Sequence, residues 1–226
     1  MSGGASVRAA IVDYALGNLY SVAHACHQVG MAPEITNDRA AIAAADLIFL
    51  PGVGAFGDAM ANLRRLDLVN PLKDLAAAGR PLVGICLGMQ LMLGQSHEFG
   101  LHQGLELVAG EVVRFQNPLG PRGPLKVPHV GWNRIHRPAE PGDPWAGTPL
   151  AVVAEGQYMY FVHSFYAKPR DPGVILAKTR YGEVEFCSAL RQGNIFAFQF
   201  HPERSAAAGI AIYAELAALA RRGRES

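Results

Sequence analysis

Cysteine is scarce in this 226-residue chain: Cys26, Cys86 and Cys187 are the only three, far apart and odd in number. A chain this long buries a sizeable core without covalent staples. The pattern therefore excludes a disulfide-built secreted domain and fits free thiols in a reducing, cytoplasmic compartment. Charge of one sign is lacking too. Lys+Arg number 20 against 19 Asp+Glu, a net charge of +1, which gives no electrostatic reason for nucleic acid or an anionic membrane as partner. No apolar run approaches the roughly 20 residues that cross a bilayer. "MSGGASVR" has no apolar core behind a basic start, so export is not expected. With 50% hydrophobic and 17% charged residues, the composition is that of a globular domain. Internal repeats are absent.

What is present is an alternation of short apolar runs with helical patterns. "AAIVDY" (9–14), "APEIT" (32–36), "DLIFLPG" (46–52) and "RPLVGIC" (80–86) read as strands. Helices are expected near 18–30, 38–45 and 57–78, the last interrupted near Pro71. Leu19, Val22, Ala23 and Cys26 fall at i, i+3, i+4 and i+7, one buried stripe, so Cys26 is a core residue by position. Strands alternating with helices call for a parallel sheet covered on both faces. After about residue 104 the runs become strand-like with short breaks, from "LELVAGEVVRF" to "NIFAFQFHPE". Eight of the fifteen prolines lie between Asn117 and Pro149, which implies loops there. An amphipathic helix near 206–222 closes the chain, with Ile212, Leu216, Leu219 and Ala220 on one face. The expectation is one α/β domain over 1–226 with an antiparallel-rich extension in its second half, and 1–8 and 223–226 as loose ends.

Within that frame "GICLG" (84–88) places Cys86 on a strand-to-helix turn between two glycines. Free cysteine is most often a small core residue. Flanking glycines, however, allow the tight turn that presents a nucleophile, as in the G-x-S-x-G elbow, and a helix start favours thiolate. A nucleophile needs a base, and the base an orienting group. "FAFQFHPER" (196–204) ends a strand with His201, Pro202 and Glu203, the spacing for a carboxylate to hold one imidazole nitrogen while the other faces a thiol. "PGVG" (51–54) follows the third strand and can offer backbone N–H groups to an oxyanion. Each motif alone has an ordinary structural explanation. Their common position at strand ends of one sheet, where ligands bind in such folds, favours chemistry. His24 and His27 lie three apart on a helix with no acidic or thiol partner spaced for a metal, and no metal or cofactor is expected.

"GICLGMQ" with "HPE" near the C-terminus resembles the class I (triad) glutamine amidotransferases, and the likeness runs from about Ala9 to the last helix. It implies a flavodoxin-like, mostly parallel sheet and a Cys86–His201–Glu203 triad that splits glutamine through a thioester. By the same resemblance Val53, Gly54 and Leu87 stabilise the oxyanion, and Gly52, Gln90, Glu98, Ser164 and Phe165 hold L-glutamine. "DYALGN" (13–18), "KVPHVGWN" (126–133) and "YFVHSFY" (160–166) look like the branch whose glutaminase subunit docks on a (β/α)₈ cyclase and passes it ammonia. That likeness places Asn18, Trp132, Asn133 and Arg204 near the partner. Arg204 stands where the motif more often has lysine, a change of donor geometry. The stretch 136–149 matches no motif, and His129, Trp145 and His163 receive no catalytic role. Other readings are a glutaminase serving another synthase such as anthranilate synthase, a silent binding module, and a cysteine peptidase. The last is disfavoured by Gln90 and Glu98, which suit a free amino acid.

Overall fold

The computed structural model describes residues 6–139 and 142–225 of the chain. In order along the chain come β1 (Arg8–Val12), α1 (Leu19–Gln28), β2 (Ala32–Thr36), α2 (Arg39–Ala44), β3 (Leu47–Gly52), α3 (Phe56–Arg65), α4 (Val69–Ala77), β4 (Leu82–Cys86) and α5 (Leu87–Leu91). The second half holds β5 (Leu93–Ser96), β6 (His102–Gln103), β7 (Val108–Arg114), β8 (Leu119–Gly120), β9 (Gly123–Pro124), β10 (His129–Arg134), β11 (Tyr158–His163) and β12 (Phe165–Pro169). It ends with β13 (Ile175–Tyr181), β14 (Val184–Gln192), β15 (Ile195–Phe198) and α6 (Ala206–Glu225).

The main sheet runs β2-β1-β3-β4-β15-β14-β12-β7-β5-β6, with β13 paired to β14. From β2 to β15 every pair is parallel, while β14 pairs antiparallel with β15, β12 and β13. The expected parallel half and antiparallel-rich extension thus form one continuous sheet. Its central strands are apolar throughout because both faces are covered. Val83, Ile85, Phe196 and Phe198 pack on the side of α1 and α6, with Cys26, Ile212, Tyr213 and Leu216. Leu82, Ile195 and Ala197 pack on the other, with Phe56, Met60, Leu63 and Leu72 of α3 and α4. A separate ribbon, β10 against β11, pairs His129 with His163 and Trp132 with Tyr160, and lies outside the main sheet.

Three expectations gain detail. The expected break near Pro71 in the 57–78 helical stretch falls at residues 66–68, where Asp67 has φ 51°. Pro71 sits in the first turn of α4, where its missing N–H removes no helical bond. The expected loose ends are partly ordered. Val7 is fully buried, the Arg8 N–H donates to Asp46 Oδ2 at 2.7 Å, and α6 continues to Glu225; residues 1–5 and 226 lie outside the described residues. The helix after Cys86 is only five residues long and gives way to β5, so its dipole is that of a single turn. Within the proline-rich stretch without a motif, Trp145 is fully buried, donates from Nε1 to the Leu176 carbonyl at 2.6 Å, and carries the Arg137 guanidinium 4.0 Å from its ring centroid. Among the described residues no helix is long and apolar enough to cross a membrane.

Candidate active site

β4 and β15 are parallel neighbours with Ile85 opposite Phe198, so the chain leaves both strands at the same edge. One residue past Ile85 is Cys86; three past Phe198 is His201. Cys86 adopts φ 54°, ψ −108°, a conformation that costs a non-glycine residue about 1–3 kcal/mol and persists only where the surroundings impose it. The two glycines of the motif explain how it is imposed. A Cβ on Gly88 would overlap the Leu50 carbonyl oxygen of β3, and one on Gly84 would press within 2.9 Å of the Met89 backbone. The short helix therefore lies directly on the strands, and the turn has no room to relax.

His201 is held from several sides. Its N–H donates to the Tyr160 carbonyl at 2.9 Å, and its own carbonyl accepts from the Ser205 hydroxyl at 2.7 Å. Pro202 opens a 3₁₀ turn (Pro202–Arg204) that brings Glu203 Oε1 to 2.8 Å from His201 Nδ1. Both side chains are buried, at 3% and 1% exposure. With Nδ1 on the carboxylate, Nε2 has no hydrogen-bond partner. Burial opposes charge on the ring, but the Cys86 sulfur and the Glu203 carboxylate outweigh it and raise the His201 pKa to about 10. The ring is thus biased toward its protonated form by what lies on its two sides. The Cys86 sulfur also lies 3.7 Å from Gln199 Nε2 and 3.7 Å from the Val162 carbonyl.

In front of the sulfur is a cavity of about 270 Å³ lined by Val53, Gly54, Cys86, Leu87, Gln90, Glu98, Ser164 and Phe165, with Pro128, Val162 and His163. The volume is at the small end for ligand pockets, which run from about 300 Å³ upward. A larger groove of about 840 Å³ between β5, β7 and β12 contains none of the reactive groups. Gly52 does not reach the cavity wall. It lies behind it, opposite Cys86 in the β3–β4 register, where its missing side chain leaves space for Tyr14 and Leu87; the Tyr14 hydroxyl donates to the Pro51 carbonyl at 2.6 Å. Gly54 has φ 111° and Val53 is 41% exposed, so these two residues of "PGVG" form an open rim while Pro51 and Gly52 remain in the buried end of β3. Glu98 accepts the Phe56 N–H at 2.7 Å, an unpaired donor in the first turn of α3, and this fixes one carboxylate oxygen. Gln90 donates from Nε2 to the Phe165 carbonyl at 2.9 Å and to Gln199 Oε1 at 3.0 Å.

The residues expected near a partner divide. Trp132 is 52% exposed and meets Tyr160 edge-on, centroids 6.0 Å apart. The Arg204 guanidinium sits 4.8 Å from the same ring, which is 6.5 Å from His201. Asn133 turns inward to His129 and the Arg180 carbonyl, and Asn18 accepts the Ser21 hydroxyl at the start of α1. Sequence reasoning missed Gln199, Tyr14 and Tyr160. For Gln199 a signal existed: it is the one polar residue inside "FAFQF", and a fully buried amide must find partners.

A strained cysteine, an imidazole oriented by glutamate and a small pocket, at the parallel-strand edge of this sheet, are the features of an amidotransferase, and the chain belongs to the class-I glutamine amidotransferase family, whose model matches residues 10–214. Its similarity to particular members is narrower. The imidazole glycerol phosphate synthase subunit HisH of Rhodopirellula baltica is 47% identical over 200 residues, 88% of this chain and 92% of that protein. The subunit of the same name from Geobacter metallireducens is 45% identical over 204 residues, 90% and 94% of the two chains. Among solved structures, PurLQS from Thermotoga maritima matches with a TM-score of 0.68 over 98% of this chain and 100% of that one, at 18% identity. A GMP synthase protein from Thermoplasma acidophilum gives 0.67 over 98% of each, at 16%. Likeness at such identities concerns the fold alone.

Proposed function

We propose that this chain is the glutaminase subunit of imidazole glycerol phosphate synthase in cytoplasmic histidine biosynthesis, one domain that works against a (β/α)₈ cyclase. Cys86 attacks the side-chain carbonyl carbon of L-glutamine. The oxyanion is met by backbone N–H groups of Val53, Gly54 and Leu87. The His201 imidazolium gives its Nε2 proton to the departing nitrogen, ammonia leaves, and a glutamyl thioester remains. Neutral His201 then takes a proton from water, which attacks the thioester and releases glutamate, with Glu203 holding the ring throughout. Gln90, Glu98, Ser164 and Phe165 hold the charged end of the substrate, and Gly52 acts from behind by giving Leu87 its place.

Ammonia released into water at neutral pH would become ammonium, which is not a nucleophile. It is passed instead to the cyclase, which uses it to make imidazole glycerol phosphate and aminoimidazole carboxamide ribotide. Trp132 and Arg204, gathered on Tyr160 beside His201, suit a docking face next to the triad, to which the family likeness adds Asn18. Arginine in place of lysine keeps the charge and adds ring stacking. The observation that carries this reading is the Nδ1–Oε1 contact of 2.8 Å on an imidazole carried at the same edge of the sheet as Cys86. The experiment is co-purification with a cyclase subunit, followed by ammonia release from glutamine with and without the cyclase's ribonucleotide. Glutamine hydrolysis is expected to be slow in the isolated chain and to rise with partner and ribonucleotide together. Stimulation by chorismate and its synthase instead would assign the chain elsewhere.

A further inference from the structure

His129 and His163, which the triad does not use, face each other across the β10–β11 ribbon. Both are buried, at 3% and 5% exposure, among the rings of Phe115, Phe161, Tyr181 and Phe186. Two polar rings in an aromatic cluster need partners for all four nitrogens, and three distances supply them. Asn133 Nδ2 is 3.2 Å from His129 Nε2. His129 Nδ1 is 3.1 Å from His163 Nε2. His163 Nδ1 is 2.8 Å from the Phe165 carbonyl oxygen.

The ends of this chain determine its protons. A backbone carbonyl only accepts, so His163 Nδ1 carries hydrogen. In a neutral ring Nε2 is then the acceptor, which requires hydrogen on His129 Nδ1 and leaves His129 Nε2 to accept from Asn133. Asn133 is oriented independently: its Oδ1 accepts the Arg134 N–H at 2.8 Å, and its Nδ2 donates to the Arg180 carbonyl at 3.0 Å. Burial keeps both rings neutral, lowering His129 to about 4 and His163 to about 3. The neighbouring His129 and His201 add to the effect on His163 against its bond to Phe165. Only one arrangement of protons satisfies every contact, and it runs one way, from Asn133 to Phe165.

The Phe165 carbonyl is also where Gln90 Nε2 is tied, at 2.9 Å, its second bond going to Gln199. Both donors of the Gln90 amide are thereby committed to protein acceptors. We propose that Asn133, His129 and His163 are positioning residues for the glutamine pocket: a one-way hydrogen-bond chain that fixes the Phe165 carbonyl and, through it, the Gln90 side chain in the cavity wall. The identity of the pocket's ligand rests on the glutaminase reading; the chain itself does not.

The test combines kinetics with histidine ¹⁵N NMR. In the wild-type protein both His129 and His163 should show the neutral Nδ1–H tautomer. Asn133→Asp puts a carboxylate where the amide donor was. His129 then protonates at Nε2 and presents a lone pair to His163, which must protonate at Nε2 and turn a lone pair on the Phe165 carbonyl. The glutamine KM of the complex with its cyclase should rise about tenfold while kcat stays within about threefold, although residue 133 is not in the cavity wall. His163→Leu should raise KM similarly, and His163→Asn, whose amide nitrogen falls near Nδ1, should recover most of the loss. An Nε2–H tautomer on His163 in the wild type, or unchanged tautomers and KM in Asn133→Asp, would overturn the proposal. If the wild-type complex releases no ammonia from glutamine, the glutaminase reading fails. The tautomer switch and the accompanying shift of the Gln90 amide resonances then decide the chain without it.

Discussion

Cys86 and Cys187 sit in one sheet, on β4 and β14 with β15 between them, and are equally hidden, 6% and 5% exposed, yet the structure treats them as different substances. Cys187 lies in an ordinary β14 strand, its sulfur 3.4 Å from the Ala189 carbonyl, and burial pushes its thiol up to about 12. Cys26, on the α1 face, is pushed up to about 12 for the same reason. Cys86 has a positive φ, a glutamine donor and an imidazole beside it. Exposure therefore does not separate a nucleophile from core thiols; backbone strain and the charge of the neighbours do.

The comparison breaks most completely at the sulfur itself. Cys86→Ala is expected to lower glutamine-dependent turnover of the complex by more than about 10³-fold, while synthesis from added ammonia continues. Residual glutamine hydrolysis near the wild-type rate would remove Cys86 from the mechanism. The same variant tests the charge on His201. Its pKa is raised to about 10 with the Cys86 sulfur and the Glu203 carboxylate as the opposing charges, so deleting the sulfur should move the imidazole titration downward, toward neutral pH, in an NMR titration. An unmoved titration would leave Glu203 as the sole cause.

A smaller effect, aimed at the strain instead of the sulfur, is expected from Gly88→Ala. The new methyl group meets the Leu50 carbonyl oxygen, a backbone atom with little freedom to yield, so the short helix must shift off β3. The loss should be about 2–3 kcal/mol in a urea titration, with glutamine hydrolysis falling further than stability accounts for because Cys86 is carried on that helix. Wild-type stability and activity together would mean that the turn holds its shape without the close approach.

These elements also mark what was legible in the sequence. The elbow, the strand ends and the His-Pro-Glu turn could be read because each is local: glycine spacing, apolar runs and a proline stop report on a few consecutive residues. The division of the sheet into parallel and antiparallel parts was legible from the change in rhythm after residue 104. The sequence alone did not reveal that α5 ends after five residues, because that depends on the approach of Gly104 and β7 to the strand that follows it. Gly52 was expected in the pocket wall and lies behind it, a displacement of one layer that no one-dimensional pattern encodes. Asn133 was expected at a partner face, and nothing in the sequence signalled that its side chain joins a hydrogen-bonded chain whose members are 4 to 47 residues apart. Alternation predicts which face a residue occupies, not which polar groups must answer one another there.

The smallest effect is the one that most sharpens the contrast. Cys187→Ala removes one sulfur atom from a packed site between β12 and β13, opposite Ala167 and Lys178. The sulfur belongs to the cluster that includes Leu190 and Ala197. Truncation should cost about 1 kcal/mol through lost packing, read as a lower urea midpoint with an unchanged slope. Glutamine turnover should remain within about twofold, since β14 meets the site through the backbone bond from the Gln199 N–H to the Ser188 carbonyl and through the Phe186 ring on His163, neither of which involves the Cys187 sulfur. A tenfold loss of turnover at unchanged stability would show that the strand holding Cys187 tunes the position of Gln199 against the Cys86 sulfur. The two cysteines would then be parts of one device and not opposites.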